Sequence, residues 1–477
     1  THRGGYIPFY FDITPQLLDG ENEVRVSVWD PSDQSWIARG KQVLKPKSIW
    51  YTAVSGIWQT VWLEPVPQTF VCGLKLTPNI DTETLKVVVN FDGEITDAQV
   101  QVTVLDDEVQ IGAVAGWVRE PLQIPVLHPQ LWSPDSPHLY DLQVEVRQQG
   151  QILDKVESYF GMRKFSLETD EQGHLRLCLN NAPLFHYGPL DQGYWPDGLH
   201  TPPSAAAMRS DVEFLKQIGC NMLRKHIKVE PARFYFDCDR LGMIVWQDMP
   251  NGGKPVGDVL SFLAIMFGKL TRRDDRLYWR AGRSEQASRD NYWHELREMV
   301  DHLHNFACIG MWVPFNEAWG QFDANAVADW LRDYDPTRLV DHASGWFDQG
   351  GGDFRSIHTY FKALAPEDPD EKRGVILSEF GGYALKLDGH VWDPETEFGY
   401  KKFDSQEALT DAYVDLLETQ LKPWIERGLS GAVYTQTTDV EIEVNGYLTY
   451  DRKIVKMDAN RLKHIHQNLT SGEITEI

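Results

Sequence analysis

Beyond Met162 the sequence alternates short apolar stretches with longer amphipathic ones, and this alternation restricts the possible folds more than any other feature. Eight of the apolar stretches have the length and composition of buried strands. They are Ala182–Gly188, Asn221–His226, Met243–Asp248, Ile309–Phe315, Leu339–His342, Ser356–Tyr360, Val375–Glu379 and Gly431–Gln436. Strands separated by helices pair in parallel, and eight such units can close into a barrel. The sequence therefore predicts a (β/α)8 TIM barrel over residues 164–477.

Helix-capping residues support this prediction. Ser204, Ser284 and Ser405 each precede a helical pattern, and the last of these patterns ends at Arg427-Gly428. A serine hydroxyl at this position accepts a hydrogen bond from the free N–H groups of the first turn, and glycine is favoured just after a helix ends. The connection Asn251–Arg283 is long for a strand-to-helix loop, so we expect it to form part of the rim of a site.

Residues before Met162 show the two-residue alternation of antiparallel strands. Examples are Glu23–Trp29 and Thr60–Leu63 in the first part, and Leu85–Asn90 and Leu139–Val146 in the second. Such spacing is typical of small β-sandwiches and predicts two of them, over residues 1–68 and 69–163. Because Thr1 stands where a sandwich would already have several strands, we expect the first one to be truncated.

Charge and composition exclude several classes of partner. The chain carries 70 acidic residues against 46 Lys and Arg, a net charge of −24, and no basic block interrupts it. No apolar run reaches the length of a membrane span, roughly 18 residues or more. We therefore expect neither nucleic acid nor a membrane as a partner, whereas the sequence leaves a homo-oligomer open.

The five cysteines are scattered, without CxxC pairs or metal-ligand spacing. Free thiols favour the cytoplasm. Periplasmic or secreted locations stay open because the N-terminus looks truncated. The cysteine spacing predicts no metal site.

Polar side chains stand at the C-terminal ends of most predicted barrel strands, where the mouth of such a barrel lies. They are Arg224, His226, Asp248, Asn316, Glu317, His358, Tyr360, Glu379 and Gln436. Any one of them could equally cap a helix, pair with a buried charge or pack in the wall. Two glutamates that end strands four and seven, one of them preceded by asparagine, are less easily explained in that way.

The stretches Trp312-Val-Pro-Phe-Asn-Glu-Ala-Trp-Gly320 and Leu377-Ser-Glu-Phe-Gly-Gly382 resemble the two catalytic strands of glycoside hydrolase family 2. The resemblance implies a sugar-binding-like sandwich, an immunoglobulin-like sandwich and a catalytic barrel. It also implies that Glu317 is the general acid/base and Glu379 the nucleophile, with Asn316 contacting the sugar 2-hydroxyl. Arg224 and Tyr360 are expected to position the nucleophile.

Two departures from the family pattern concern the motif of the fourth strand and the sugar platform. Phe306-Ala307 replaces a His-Pro pair, and Phe315 replaces a glycine. Strand eight lacks the tryptophan on which related barrels rest the sugar. The platform could instead come from Trp319, Trp346 or Trp195, and we count Trp319 among the substrate-binding candidates together with His226, Asp248, His358 and Gln436.

These residues lead to the expectation of a retaining, exo-acting β-glycosidase that needs no cofactor. A β-galactosidase is favoured over a β-glucuronidase because no Asn-x-Lys motif is found near strand eight and the chain is acidic. A β-mannosidase, an arabinosidase and a non-catalytic carbohydrate-binding relative remain alternatives.

Overall fold

The computed structural model describes residues 1–254, 273–360, 362–364 and 372–470. Of the expected rim, Asn251–Arg283, residues 255–272 lie outside this description. None of the helices in the described ranges has both the length and the apolar character that a bilayer span requires.

Residues 1–66 contain little regular structure. The elements here are the strands β1, Gln42–Val43, and β2, Tyr51–Thr52, which pair in parallel, and short 3-10 turns at Thr14–Gln16 and Ser32–Gln34. The strands predicted at Glu23–Trp29 and Thr60–Leu63 are not formed. An alternating pattern gives a strand only where a neighbouring strand can accept its backbone hydrogen bonds, and no described strand pairs with either stretch.

Residues 70–160 form an antiparallel sandwich. Its strands are β3 Phe70–Asn79, β4 Thr84–Asp92, β5 Ala98–Asp106, β6 Val109–Trp117, β7 Leu122–Pro125, β8 Tyr140–Gln148 and β9 Gln151–Phe160. One sheet has the order β3-β4-β7 and the other β6-β5-β8-β9. The inward residues of alternate positions, such as Leu85, Val87, Val102 and Val144, form a core of their own. The immunoglobulin-like sandwich predicted here is confirmed.

A small antiparallel sheet leads into the barrel. Its strands are β10 Phe165–Thr169, β11 Leu175–Leu179 and β12 Ala182–Pro183. Asn180 and Asn181 take left-handed conformations, with φ of 56° and 67°, and form the tight turn between β11 and β12. The first barrel strand therefore begins at His186, a few residues later than the sequence predicts.

The (β/α)8 barrel prediction is confirmed, since an observed strand overlaps each predicted one. The strands are β13 His186–Asp191, β14 Met222–Lys225, β15 Ile244–Asp248, β16 Ile309–Val313, β17 Leu339–Val340, β18 Phe354–Thr359, β19 Gly374–Gly381 and β22 Leu429–Thr435, with a short side pair β20 Tyr383–Ala384 and β21 Lys401–Lys402. The order is β17-β16-β15-β14-β13-β22-β19-β18, and all neighbours are parallel. Between the end strands, Ser356 donates to Asp341 across 2.9 Å.

The helices that alternate with these strands pack around the barrel core. They are α1 Ala205–Gln217, α2 Ala232–Leu241, α3 Gln286–Leu303, α4 Ala324–Tyr334, α5 Gln406–Leu416, α6 Lys422–Glu426 and α7 Ala459–Thr470, with a 3-10 turn at Tyr278–Ala281 and a π turn at Leu417–Leu421 between α5 and α6. As predicted, the Ser204 and Ser405 hydroxyls cap their helices, accepting from Ala207 N and Ala408 N at 3.1 Å. The prediction for Ser284 is wrong, because Glu285 precedes α3 and its side chain makes no capping hydrogen bond.

Several side chains join the sandwich to the barrel, among them Trp132 and Asn305. Trp132 is fully buried, and its indole N–H donates to the carbonyl of Asp239 at 2.7 Å. Asn305 accepts from the Leu76 amide at 2.9 Å and donates to the Leu74 carbonyl at 2.8 Å. These contacts set the sandwich against the end of the barrel where the strands begin.

The fold predicts an uneven pattern of hydrogen exchange in residues 1–66. Amides in 19–30 and 57–66 should exchange much faster than those of β14 and β19, because most of these residues are exposed and their amides donate no hydrogen bond within the described part of the chain. The amide of Tyr51 should exchange more slowly than the amides of those two stretches, since it donates to the Lys41 carbonyl at 2.9 Å. Mass spectrometry of exchanged peptides measures this, and uniform protection across residues 1–66 would contradict it.

Candidate active site

Side chains from the ends of five barrel strands, β14, β15, β16, β18 and β19, meet at one edge of the barrel, the edge at which the sequence predicted a site. Arg224 lies at the centre of this group and is fully buried. Its guanidinium donates twice to Asp248, at 2.9 and 3.0 Å, and once each to Asn316 and Glu379, at 2.8 and 3.1 Å. A further bond reaches the carbonyl of Ser378 at 3.0 Å. One cation therefore links β14, β15, β16 and β19.

Glu379 lies within β19 and is held through both oxygens. Oε1 accepts from Arg224, and Oε2 accepts a short hydrogen bond from the hydroxyl of Tyr360. Burial by itself opposes ionisation, but the neighbouring positive charges outweigh it and lower the pKa of Glu379 to about 2. Among these neighbours Arg224 is charged at any ordinary pH. Glu379 is thus an ionised carboxylate whose oxygens are fixed in direction.

Glu317 occupies a turn directly after β16. Glu317 and the following Ala318 have φ of 48° and 57°, and the Glu317 amide donates to the Ser344 carbonyl at 2.9 Å. Its side chain is 16% exposed, against 4% for Glu379. Oε1 lies 3.0 Å from His358 Nδ1. No hydrogen bond within the described part of the chain holds the other oxygen, which leaves it available to a ligand.

His358 stands between the two glutamates. Besides its contact with Glu317, its Nε2 lies 3.1 Å from the Ser344 hydroxyl and 3.8 Å from Glu379 Oε1. One oxygen of each carboxylate and a ring nitrogen of His358 all lie within 4.8 Å of one another. Within the described residues these three groups are the ones that could converge on a metal ion, and no further ligand distinguishes them as a metal centre.

His226 and Asp248 support the cluster from β14 and β15. His226 Nδ1 lies 2.8 Å from Asp248 Oδ2. Burial lowers the pKa of His226 well below its ordinary value, so the ring is neutral. An ionised carboxylate can only accept, so the single ring proton belongs on Nδ1, which leaves Nε2 as a buried acceptor without a partner among the described residues.

Three residues that the sequence did not single out complete the surroundings of Tyr360 and Glu317. The Tyr360 hydroxyl lies 3.1 Å from that of Thr435, and the Tyr360 ring stacks on Tyr400 with centroids 3.9 Å apart. Ser344 contacts Glu317 through its carbonyl and His358 through its hydroxyl. Thr435 is the last residue of β22 and lies one residue before the end of the predicted strand Gly431–Gln436, so its position could have been found from the strand pattern. Tyr400 and Ser344 lie in loops without such a signal.

Two of the candidate residues are placed differently from the group around Arg224. Gln436 is fully buried, and its amide donates to Asn445 at 2.8 Å. Trp319 is buried against Trp50, with ring centroids 5.0 Å apart, and lies beneath the guanidinium of Arg39. Their observed contacts are packing and internal hydrogen bonds. The other candidates, namely Asn316, Arg224, His226, Asp248, His358 and Tyr360, are brought together with the two glutamates.

The two described ends of the connection Asn251–Arg283 also contact the site. Asn251 donates to the Pro314 carbonyl at 2.7 Å and accepts from the Asn316 amide at 3.4 Å. The buried guanidinium of Arg283 donates to the carbonyls of Asn251 and Gly320. These bonds hold the turn that carries Asn316 and Glu317.

Two family models match the sequence. That for glycosyl hydrolases family 2 matches residues 69–163, and that for the TIM barrel domain of glycosyl hydrolases family 2 matches residues 203–471.

Curated relatives resemble the chain over most of its length. A Formosa agariphila protein, provisionally named a beta-glucuronidase, is 24% identical over 429 residues, which cover 85% of this chain and 48% of that protein. The beta-galactosidase of Pseudoalteromonas haloplanktis is 26% identical over 362 residues, covering 71% of this chain and 31% of that enzyme. The chain thus spans less than half the length of these relatives.

Solved structures share the fold. A GH2 beta-galacturonidase from Eisenbergiella tayi matches with a TM-score of 0.65 at 17% identity, over 88% of this chain and 76% of that one.

The Arg224 cluster predicts a large loss of stability when its centre is removed. Arg224→Met should lower the free energy of unfolding by about 3–5 kcal/mol, because Asp248 and Glu379 are left as buried charges without their cation. Arg461→Met is the matched control: Arg461 pairs with Asp411 at 2.6 Å, and both side chains are exposed, at 44% and 61%. That change should cost about 0–1 kcal/mol. Urea unfolding measures both, and equal losses would contradict the assignment.

The pKa of Glu379 predicts how its contribution to stability depends on pH. A carboxyl whose pKa falls from about 4.5 in the unfolded chain to about 2 in the folded one stabilises the fold above about pH 4.5. That contribution is lost as pH falls toward 2. The difference in unfolding free energy between wild type and Glu379→Gln should therefore shrink on acidification through this range. A difference that stays constant or grows would show that the folded carboxyl has no lowered pKa.

Proposed function

We propose, starting from the fact that this chain belongs to glycosyl hydrolases family 2, that it is a retaining, exo-acting β-glycosidase with Glu379 as nucleophile and Glu317 as general acid/base. The observation that carries the proposal is the approach of the two carboxylates to within 4.8 Å at the open edge of the barrel. Retaining enzymes need carboxyl groups about 5–5.5 Å apart, whereas inverting enzymes keep them about 6.5–9.5 Å apart to admit a water.

The environment of each glutamate suits a different role. Glu379 is ionised, and its two oxygens are oriented by Arg224 and Tyr360. Such a carboxylate can attack the anomeric carbon without first losing a proton. Glu317 is more exposed, and one of its oxygens is unbonded among the described residues, so its carboxyl can reach the oxygen of a leaving group and protonate it.

The second step reverses the proton transfer. Once the aglycone has left, the Glu317 carboxylate takes a proton from water, and the resulting hydroxide attacks the anomeric carbon of the glycosyl-enzyme. The bond to Glu379 breaks, and its carboxylate returns to Arg224 and Tyr360. Asn316, held by Arg224 at 2.8 Å, lies beside both groups and is suited to contact the sugar 2-hydroxyl.

The identity of the sugar stays a prediction. The sequence favours a galactoside over a glucuronide, and relatives are named for each activity. A panel of aryl β-glycosides, including mannoside and arabinoside, separates these substrates. It also tests the competing reading, a carbohydrate-binding relative without activity, which predicts no turnover of any member.

We predict that Glu379→Ala abolishes turnover of every substrate in the panel. Without the attacking carboxylate no glycosyl-enzyme forms, whatever the leaving group. Rates should fall by at least about 1,000-fold on both activated and unactivated glycosides. The matched control is Glu120→Ala, which removes an exposed carboxylate from the sandwich and should leave rates unchanged.

Glu317→Ala should fail differently. An aryl leaving group of low pKa departs without a proton, so glycosylation survives while the second step becomes slow for want of a base. The intermediate should then accumulate, with a burst of released phenol and a mass increase of one glycosyl group. Azide, which needs no base, should restore turnover and give the β-glycosyl azide. An α-glycosyl azide from Glu317→Ala, or azide rescue of Glu379→Ala to a β-product, would contradict the proposal. Either result would mean that the two glutamates have the opposite roles or that the mechanism is not retaining.

A further inference from the structure

A segment from the N-terminal part of the chain, residues 38–52, lies against the open edge of the barrel. The carbonyl of Arg39 accepts from the Gly252 amide at 3.3 Å. The hydroxyl of Tyr51 donates to Glu443 at 2.5 Å, and the Thr52 amide donates to Glu441 at 2.7 Å. These bonds reach the loops that follow β15 and β22. The segment therefore contributes to the wall of the proposed active site.

Lys41 of this segment is buried, with 8% of its surface exposed. Its ammonium makes no hydrogen bond or ion pair within the described part of the chain. Three other lysines there are more deeply buried, and each forms an ion pair with a carboxylate at 2.7–2.9 Å: Lys225 with Asp191, Lys228 with Glu230 and Lys456 with Asp439. Buried lysines are usually paired, and Lys41 is the exception: its Nζ has no protein partner among the described residues and is not among the fully buried unpaired atoms, so it is open to an external partner.

The position of Lys41 is set by its neighbours. Gly40 approaches the barrel so closely that a Cβ there would lie 3.0 Å from the carbonyl of Ile227, the residue after His226. The charge of Lys41 is among those that lower the pKa of both His226 and Glu379. The ammonium nevertheless lies beyond ion-pair distance of Glu379, whose oxygens already have Arg224 and Tyr360 as partners.

We propose that Lys41 is a specificity-determining residue that binds an acidic group on the terminal sugar, the carboxylate of a hexuronic acid. The inference rests on the proposed function, because it places that sugar between Lys41 and Glu379. Two acids of the loop after β22 contact this segment, and both already have partners: Glu441 accepts from the Thr52 amide, and Glu443 accepts from Tyr51 and, at 2.9 Å, from Asn445. A substrate carboxylate would pair with the ammonium of Lys41, as carboxylates of the protein pair with the other three buried lysines.

This inference opposes the galactoside preference expected from the sequence. That expectation considered strand eight of the barrel, where an Asn-x-Lys motif is missing, and took the chain's net negative charge as unfavourable to an anionic sugar. Lys41 stands far from strand eight in sequence and supplies a positive charge locally. The local charge decides at a buried site, because net surface charge is screened over about 8–10 Å at physiological salt.

The test compares wild type with Lys41→Met on three aryl β-glycosides: the glucuronide, the galacturonide and the galactoside. Methionine keeps the length and apolar contacts of the lysine stem but removes the charge. We expect wild type to prefer a uronide, and Lys41→Met to lower kcat/KM on that uronide by about 100-fold while changing the galactoside by less than about threefold. Lys41→Arg should retain part of the uronide activity, and Lys45→Met, which removes an exposed charge of the same segment, should change neither substrate.

Three results overturn the inference while the proposed function stands: turnover of the galactoside but of neither uronide, an equal loss on all three substrates in Lys41→Met, or no loss at all. If no glycoside is hydrolysed, the proposed function fails instead. The role of Lys41 can then still be tested by ligand binding, measured as a shift in melting temperature. Free glucuronate or galacturonate should raise the melting temperature of wild type but not that of Lys41→Met. Galactose should change the melting temperatures of both proteins equally. Absence of that difference counts against Lys41 as a carboxylate-binding residue.

Discussion

The site depends on one buried guanidinium. Arg224 makes five hydrogen bonds, to Asp248, Asn316, Glu379 and the Ser378 carbonyl, and these partners come from three other strands of the barrel. Its planar fork can satisfy two acidic groups and an amide at once, which a lysine ammonium in the same place could not orient. Its positive charge offsets the cost of burying two carboxylates, Asp248 on β15 and Glu379 on β19, which are not neighbouring strands of the barrel. The orientation of Glu379 and of Asn316 follows from it.

The two glutamates differ in how firmly their surroundings hold them: Glu379 is more tightly constrained than Glu317. Glu379 lies inside a strand whose eight residues are all buried. Glu317 lies on a turn, held through its backbone by Ser344 and through its side chain by His358. His358 also approaches Glu379, so the ring separates the carboxylates at the same time as it contacts them. The two groups are thereby kept close without sharing a hydrogen bond.

Most of the barrel and the members of the site could be predicted from the sequence, because a parallel barrel brings the ends of its strands together whatever their separation along the chain. Arg224, Glu317 and Glu379 were found in this way. The contacts of Trp319 and Gln436 could not be, since a residue near a strand end can face a neighbouring loop as readily as the mouth. Lys41 was not predicted from the sequence, because it precedes the barrel. No periodicity indicates which segment of an earlier region will lie against the mouth of the barrel. The strands expected at Glu23–Trp29 and Thr60–Leu63 would need neighbouring strands for their backbone hydrogen bonds. The alternating pattern does not reveal whether such neighbours exist.

The left-handed turn at Glu317 and Ala318 has a consequence for the timing of catalysis. In the proposed mechanism the same carboxyl first protonates the departing sugar oxygen and later accepts a proton from an incoming water. These two oxygen atoms occupy different positions. A side chain rooted in a strand has one direction of approach, whereas one carried on a turn, with an oxygen unbonded, can swing by a fraction of an ångström between the two. In the proposed mechanism, the carboxylate that forms the covalent bond is therefore held in one orientation, and the carboxyl that exchanges the proton is less constrained.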